Sequence, residues 1–581
     1  YYHKTKKGYK SEILNKEFFL TDAGRKNPFI ELEAFKKIVL EQKDKEKICY
    51  YPARLSFLEK HFSWFKKEYR PHCPKYIQKN QPSKILSVSM VFARGYYDNP
   101  GSYFGHSLLK FNYKDKSVRQ MQLDSGINYG AHLPDNVSMF SYVGNGLLGG
   151  FKASYQRNNH FIHGHNYTNK QIRDLWEYEL DLNDEEIKFI VEHSWEMRRA
   201  KFQYFFFSDN CAHRIARIIE MATGEKINSA HGFWFMPMQV VRGLHRLDKK
   251  RKIIKEEIFH PSLKKVFSDK YDKLTKKEQK NLVRFLSKNN KKKIRDIKTL
   301  SSKNIVMALN YIDLQVAKQT LKSENPKQNT KLQESREILL KELLNLEAED
   351  IEKPNDKTEI PNSPTLSNAV SSLRFNYLNN DREDLAILGY RIGNNDLLNL
   401  SNPGQESSNF IIFDFEAEIT DEDINFRRFT LLDLLNINTN PLPATLTKEF
   451  SWKAKIDYAP VNNICKNCSN FGVEGSAGKA TRLNENIMLY TLIGGRVHTR
   501  SELTDGFVSA TSELGALIDI NKKLKLNITA NYNIDIFENR EYSLIKSTLG
   551  YNLKRNNDIR FSIENDSNDT AIIISYGFYF Y

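Results

Sequence analysis

The sequence predicts an α+β multidomain chain: a helical N-terminal region, a mixed α+β domain, a helical connector and a C-terminal antiparallel β-barrel of about twelve strands. Three observations carry this. Residues 1–80 and 246–350 are dominated by helical periodicity. Residues 84–245 mix short apolar runs with amphipathic stretches. From residue 368 to 581, polar and apolar residues alternate in segments of about ten, divided by Asn, Asp and Gly clusters.

In the first region, residues 31–38 and 54–58 are amphipathic helical pieces. In the second, one strand runs from Val88 to Phe92, a turn falls at Pro100, Gly101 and Ser102, and a second strand runs from Ser107 to Phe111 with His106 at its head. Gly105 beside His106 permits a close backbone approach. Residues 120–129 read as the following strand. Residues 183–200 read as a helix with Ile187, Ile190, Val191, Ser194 and Trp195 near one stripe. The connector and linker, 246–367, end in a stretch punctuated by Pro354, Pro361 and Pro364.

Cys211 is the residue most suggestive of chemistry. Ser208, Asp209 and Asn210 before it are all helix-capping types. Ala212, Ile215, Ala216 and Ile219 then share one helical face, and Gly224 is a plausible stop. Cys211 therefore falls on the first turn of a helix, at the positive end of its dipole, where a thiol pKa is lowered. A nearby histidine would make it a nucleophile. The plainer reading is a small buried hydrophobe.

His106 is the base chosen from several histidines; His132, His160, His163, His165, His193 and His213 are its rivals. His213 is two residues past Cys211, about 200° round the helix, so it is poorly placed. A base needs an orienting partner. Asp124 or Asn128 could supply it, and Asp124 is the choice, against its plainer reading as a turn residue ahead of Ser125 and Gly126. His163 and His165 form a metal-like pair without further ligands at sensible spacing, so neither metal nor cofactor is expected.

Five cysteines leave one odd. Cys49 and Cys73 flank a short helical stretch, and Cys465 and Cys468 form a C-x-x-C pair, so both pairs are disulfide candidates; two pairings leave Cys211 alone, as suits an oxidising compartment. Zinc or redox readings of the C-x-x-C pair lack a second pair or a thioredoxin-like context. The formal charge is +16, with basic clusters at Lys249, Lys250, Arg251 and Lys252 and at Lys291, Lys292 and Lys293. A solvated helical face accounts for these; contact with anionic headgroups or peptidoglycan is the functional alternative. No recognisable nucleic-acid-binding module accompanies them, so no nucleic acid is expected. The start at Tyr1 rather than methionine is compatible with removal of a signal peptide. No apolar run approaches the length of a spanning helix.

Alternation is clearest at 524–536, and recurs at 410–419, 450–459, 487–497, 508–520 and 544–553. The chain ends in an aromatic run through Tyr576, Phe578, Tyr579, Phe580 and Tyr581. Long alternating segments of even number suggest a closed membrane barrel of the bacterial outer-membrane type. A soluble antiparallel sheet also alternates and is the alternative.

Residues 84–245 resemble the Lnb N-terminal periplasmic domain family. The matching text is Gly101-Ser102-Tyr103-Phe104-Gly105-His106-Ser107-Leu108-Leu109, then Asp124 to Asn128, Arg173 to Leu180, and Tyr204 to Cys211. Histidine first and Asn-Cys later is also the order of circularly permuted papain-like enzymes, the lecithin retinol acyltransferase group and NlpC-type hydrolases among them. The resemblance implies a thiol acyltransferase or hydrolase with Cys211 as nucleophile and His106 as base. Asp124 is the third catalytic choice, with Asn210, Asn128 and Ser102 as supporting motif residues. Members named Lnb are associated with N-acylation of bacterial lipoproteins. The expectation is therefore an enzyme acting on phospholipid or lipoprotein, in the outer membrane with a periplasm-facing catalytic domain. A cell-wall amidase or peptidase using the same dyad, and a non-catalytic barrel with a periplasmic cap, are the other two readings.

Overall fold

The computed structural model describes residues 1–6, 8–95, 105–114, 125–134, 137–159, 173–227, 234–287, 300–321, 326–346, 360–361, 363–380, 383–400, 407–420, 423–439, 442, 449–463, 468–501, 506–537, 540–566 and 569–580. The chain divides into two compact units: Tyr1–Val266 with Asp313–Leu332, and Phe267–Ile312 with Gln333–Tyr581.

The first unit opens with a hairpin of β1 (Tyr2–Thr5) and β2 (Gly8–Ser11), which the helical periodicity of this region did not signal. Helices α1 (Pro28–Glu41), α2 (Lys45–Ile48), α3 (Pro52–His61) and α4 (Pro74–Asn80) follow. Asn27 caps α1 by accepting the N–H groups of Phe29 and Ile30, with Pro28 at the first helical position. Cys49 and Cys73 are joined by a disulfide.

A seven-stranded antiparallel sheet comes next. Its strands are β3 (Ile85–Ala93), β4 (His106–Tyr113), β5 (Ser125–Ala131), β6 (Phe151–Asn159), β7 (Leu175–Leu180), β8 (Lys201–Tyr204) and β9 (Ile254–His260), in the order β8-β6-β5-β4-β3-β7-β9. Three helices alternate with them: α5 (Met139–Leu148), α6 (Asp184–Met197) and α7 (Cys211–Thr223); α8 (Pro237–Arg251) precedes β9. Asn183 and Glu186 form a capping box at the start of α6. One apolar core joins the odd-numbered residues of β4 and β5 (Leu109, Phe111, Ile127 and Tyr129) to Ile215, Ile218 and Ile219 of α7. The hairpin region shares this core through Ile13 and Phe18.

Helices α9 (Leu263–Asp272), α10 (Lys276–Leu286), α11 (Ser302–Leu321) and α12 (Pro326–Leu344) make up the connector. Lys291, Lys292 and Lys293 of its basic run lie outside the described residues. Among the described residues, no helix is long and apolar enough to cross a membrane.

The C-terminal part is a closed antiparallel barrel of twelve strands. They are β10 (Ser371–Asn380), β11 (Asp384–Asn395), β12 (Ser408–Ile419), β13 (Ile424–Asn436), β14 (Ser451–Pro460), β15 (Ser469–Arg482), β16 (Ile487–His498), β17 (Val508–Asp519), β18 (Leu524–Asp535), β19 (Glu541–Lys554), β20 (Asn557–Asn565) and β21 (Thr570–Phe580). Each pairs with its neighbour, and β10 closes on β21 from Ser371↔Phe580 to Asn380↔Ala571. The period of two sorts the side chains by face. On β16, Ile493 is 72% exposed and Leu492 only 1%. On β21, Ile572, Ile574, Tyr576 and Phe578 face outward while Ala571, Ser575 and Tyr579 are buried. The outside is apolar and the inside holds the charges: Arg374, Asp558 and Arg560 are all buried. A soluble barrel has the reverse need, so this is a barrel built for a bilayer.

Candidate active site

Helix α7 is built to present Cys211 at its first position. Asn210, in extended backbone, accepts the N–H of His213 with its side-chain oxygen at 3.1 Å. Its amide nitrogen donates to the carbonyls of Phe206 (2.9 Å) and Phe235 (2.5 Å). One buried side chain thus ties the helix start to two other segments. Gly224, at φ 72°, ends the helix as its left-handed cap.

Cys211 is 3% exposed and belongs to the apolar core. Helix α7 packs against β4, and the backbone N–H groups of Ser107, the residue after His106, and of Ala212 act on the thiol.

His106 begins β4, opposite Ala93 of β3. Gly105 before it has φ 82°, and an added Cβ would stand 2.9 Å from the Ala93 carbonyl oxygen and from the Phe92 ring. Only glycine brings the chain this close to β3. Strands β4 and β5 pair in the register Leu109↔Ile127, which puts His106 and Asn128 on one sheet face a diagonal step apart. Nε2 of His106 lies 2.5 Å from Oδ1 of Asn128. The amide oxygen accepts the Nε2 proton, leaving Nδ1 as the basic nitrogen. Arg173, 3% exposed, is pinned by the carbonyls of Arg94 (2.5 Å) and Ala93 (2.9 Å), and its charge acts on both His106 and Cys211.

The electrostatics differ from the sequence expectation of a helix-dipole thiolate. Burial pushes the Cys211 thiol up to about 11, against the opposing pull of the Ser107 and Ala212 N–H groups and Arg173. Burial, helped by Arg173, lowers His106 to about 4, although its Asn128 bond works the other way. At neutral pH both groups are uncharged. Removal from water outweighs the dipole, because the dipole supplies only partial charges whereas desolvation acts on a whole one.

The described rivals of His106 are engaged elsewhere. His213 Nδ1 is 2.9 Å from Asp209 Oδ1, His193 Nε2 is 3.1 Å from the Tyr1 hydroxyl, and His132 Nε2 is 2.8 Å from Ser154 Oγ. His160, His163, His165, Ser102 and Asp124 lie outside the described residues; among the described residues, Asn128 is hydrogen-bonded to His106. Cys465 is outside them too, and Cys468 is buried. Arg173 was not singled out from sequence as a site residue; it comes to the site only through the order of the sheet.

Residues 74–246 match the family model described as the Lnb N-terminal periplasmic domain. Residues 1–61 and 361–581 match two models described as domains of unknown function. No curated protein matches the chain significantly. Solved structures similar to the barrel include the NanC porin (7% identity, covering 36% of this chain and 100% of that one, TM-score 0.25). Others are an outer membrane channel from Pseudomonas putida F1 (11%, 39% and 100%, 0.24) and outer membrane phospholipase A from Escherichia coli (10%, 38% and 94%, 0.23). The chain is an outer-membrane protein that joins a segment matching the Lnb N-terminal periplasmic domain to a closed twelve-strand barrel.

Proposed function

We propose that this protein is a thiol acyltransferase or hydrolase that takes an acyl chain from phospholipid or lipoprotein through a thioester on Cys211. The observation that carries the reading is the packing of α7, which starts at Cys211, against β4, which starts at His106, with His106 hydrogen-bonded to Asn128. Nδ1 of His106 removes the thiol proton as sulfur attacks the ester carbonyl carbon. The C–O π pair moves to oxygen, the tetrahedral intermediate collapses, and the leaving alkoxide takes the proton from His106. An amine, or water, then attacks the thioester and the thiol is restored. An acyl-thioester on a buried sulfur is shielded from premature hydrolysis.

A lipid donor is supported by the surroundings. Helix α5 carries Leu147 and Leu148 near its end, with Leu148 82% exposed. Its Gly146 carbonyl accepts the N–H of Phe206, in the loop that leads to Asn210 and Cys211. An apolar surface thus adjoins the thiol's own loop. In the outer membrane the nearest esters to a periplasmic site are inner-leaflet phospholipids.

Intact-mass analysis of the full chain in mixed micelles with a defined phospholipid tests this. The wild type should gain one acyl chain, and Cys211→Ser none. An adduct of equal yield in Cys211→Ser overturns the assignment of the nucleophile. Cleavage of muropeptides without any acyl adduct would instead favour a cell-wall amidase or peptidase.

A further inference from the structure

The end of the mixed sheet that leads to Cys211 also carries exposed leucines. Strand β4 starts there at His106, and β5, antiparallel to it, ends there at Ala131. Strand β6 begins there at Phe151 and β8 ends there at Tyr204, its register partner. The loop 205–210 then leads into α7. At this end Leu133 follows β5, and Leu147 and Leu148 close α5; they are 50%, 40% and 82% exposed. The His132 N–H donates to the Lys152 carbonyl at 2.7 Å, which brings Leu133 to the start of β6, four residues past Leu148. One exposed leucine is ordinary; three at one sheet end beside a candidate site form a patch. The leucines are held outward. Gly149, at φ 76°, caps α5, and Gln203 Nε2 donates to its carbonyl at 2.8 Å. A Cβ at Gly146 would overlap the Phe206 ring, and one at Gly149 the Phe205 ring. Tyr142 of α5 lies 5.1 Å from the same Phe206 ring. Helix α5 therefore spends its inner face on the loop before Cys211, and its last two leucines cannot turn inward without dismantling that packing.

The charge around the patch selects what covers it. Residues 136–173 contain no Asp or Glu, against Lys152, Arg157, Lys170 and Arg173. Lys152 is exposed at the start of β6, and Lys201, also exposed, is the register partner of Ser154. Asp209 of the adjoining loop is bound by His213 and Arg214. An apolar tip flanked by cations matches a phospholipid leaflet, with leucines in the acyl region and lysines at the phosphates. The barrel of the same chain is built for a bilayer, so lipid is present at an effective concentration no separate protein reaches. We infer that the end of α5, with Leu133, is a lipid-docking surface: Leu147 and Leu148 enter the acyl region of a phospholipid leaflet while Lys152 and Lys201 meet its phosphates. Docking this way rests the loop before Cys211 on the leaflet surface. The inference goes beyond the acyl-thioester reading and stands whether or not Cys211 is acylated.

The test is photo-crosslinking of the full chain in vesicles of phosphatidylethanolamine and phosphatidylglycerol. Benzoylphenylalanine replaces Leu148 in one protein and Leu40, an exposed leucine of α1, in another. Both are surface positions, so the label does not disturb the core. After irradiation, the labelled peptides are followed by mass. The position-148 peptide should gain a phospholipid attached through its acyl chain. Its yield should exceed that at position 40 by about tenfold or more, the ratio expected from burying one leucine side chain. Equal lipid yields at the two positions overturn the inference, since contact is then unselective. Adducts to a second copy or another polypeptide overturn it in favour of a protein interface. Adducts on headgroups alone overturn it too, because the leucines then ride above the acyl region. None of these outcomes involves acyl transfer, so its failure leaves the acyl-thioester reading untouched, and the absence of a Cys211 adduct would leave the docking surface standing.

Discussion

At the scale of single residues, the two candidate groups, Cys211 and His106, are both neutral at pH 7. The thiol at about 11 and the imidazole at about 4 bracket the whole physiological range. Iodoacetamide labelling of folded Cys211 at pH 7 should therefore run roughly 100-fold slower than labelling of the same peptide in denatured protein. It should rise about tenfold per pH unit toward pH 11. A labelling rate already on a plateau below pH 7 would show a preformed thiolate and discard this picture. The same burial couples stability to pH. His106 and His193 are lowered to about 4 and about 3, chiefly by desolvation. Their unfolded forms take up protons as pH falls through about 6.5, whereas the folded forms resist until pH 4 or below. Stability from these groups is thus present above pH 6.5 and lost on acidification, each contributing at most about 1.4 kcal/mol per pH unit within its window. His193→Phe should flatten the acid limb of melting temperature against pH; an unchanged limb would remove His193 from the account. The cap at Asn210 and the helix start at Cys211 were legible because capping chemistry is a local signal. The direction of the thiol shift was not, since burial is set by the sheet packed under the helix.

At the scale of elements, the start of α7 depends on one side chain. Asn210 keeps the helix N–H of His213 and two carbonyls satisfied in a buried setting. Asn210→Ala should lose the cap, worth about 1 kcal/mol, and strand two buried carbonyls at roughly 1 kcal/mol or more each. Asn210→Asp keeps the cap acceptor but not the donors, so it should fall between wild type and alanine in thermal unfolding of the full chain. Alanine and aspartate variants as stable as wild type would mean that water replaces the amide. Strands of the barrel were the most legible elements: the alternating segments at 487–497 and 508–520 correspond to Ile487–His498 and Val508–Asp519. Period two survives in sequence because one face meets lipid and the other the lumen. The N-terminal hairpin Tyr2–Thr5 and Gly8–Ser11 was missed, being too short for any period to establish itself. Strand β5, from Ser125, carries Asn128 to His106, a contact that depends on the register Leu109↔Ile127 rather than on any motif.

At the scale of the whole chain, the barrel resembles a filled anchor more than an open pore. Residues 396–400, which follow β11, turn inward. Leu397 and Leu398 pack with Met488, Tyr490, Leu492 and Leu517, inward-facing residues of β16 and β17 on the far wall. Asn552 of β19 donates to the Leu398 carbonyl at 2.9 Å. Arg560 of β20 binds Asp396 of the same segment at 2.6 Å and Asn399 at 2.9 Å, while also holding Asp558 at 2.7 Å. A segment bonded to both walls enters the lumen, and beside it lie a cavity of about 340 Å³ lined by Arg374, Lys453, Glu513 and other charges and a second of about 190 Å³ lined by Lys455, Asp457 and Arg496. Water and ions crossing such a lumen would have to break buried ion pairs, whose loss of one partner costs several kcal/mol. The full chain reconstituted in planar bilayers should therefore show no steady conductance. Replacing Leu397 and Leu398 with serine together with Arg560→Ala removes both the apolar seat and the polar clamp, and should open stable conducting steps while heat-modifiable migration shows the barrel still folded. Steady conductance in the wild type would mean that the inserted segment leaves a path open, and the barrel would then have to be read as a channel.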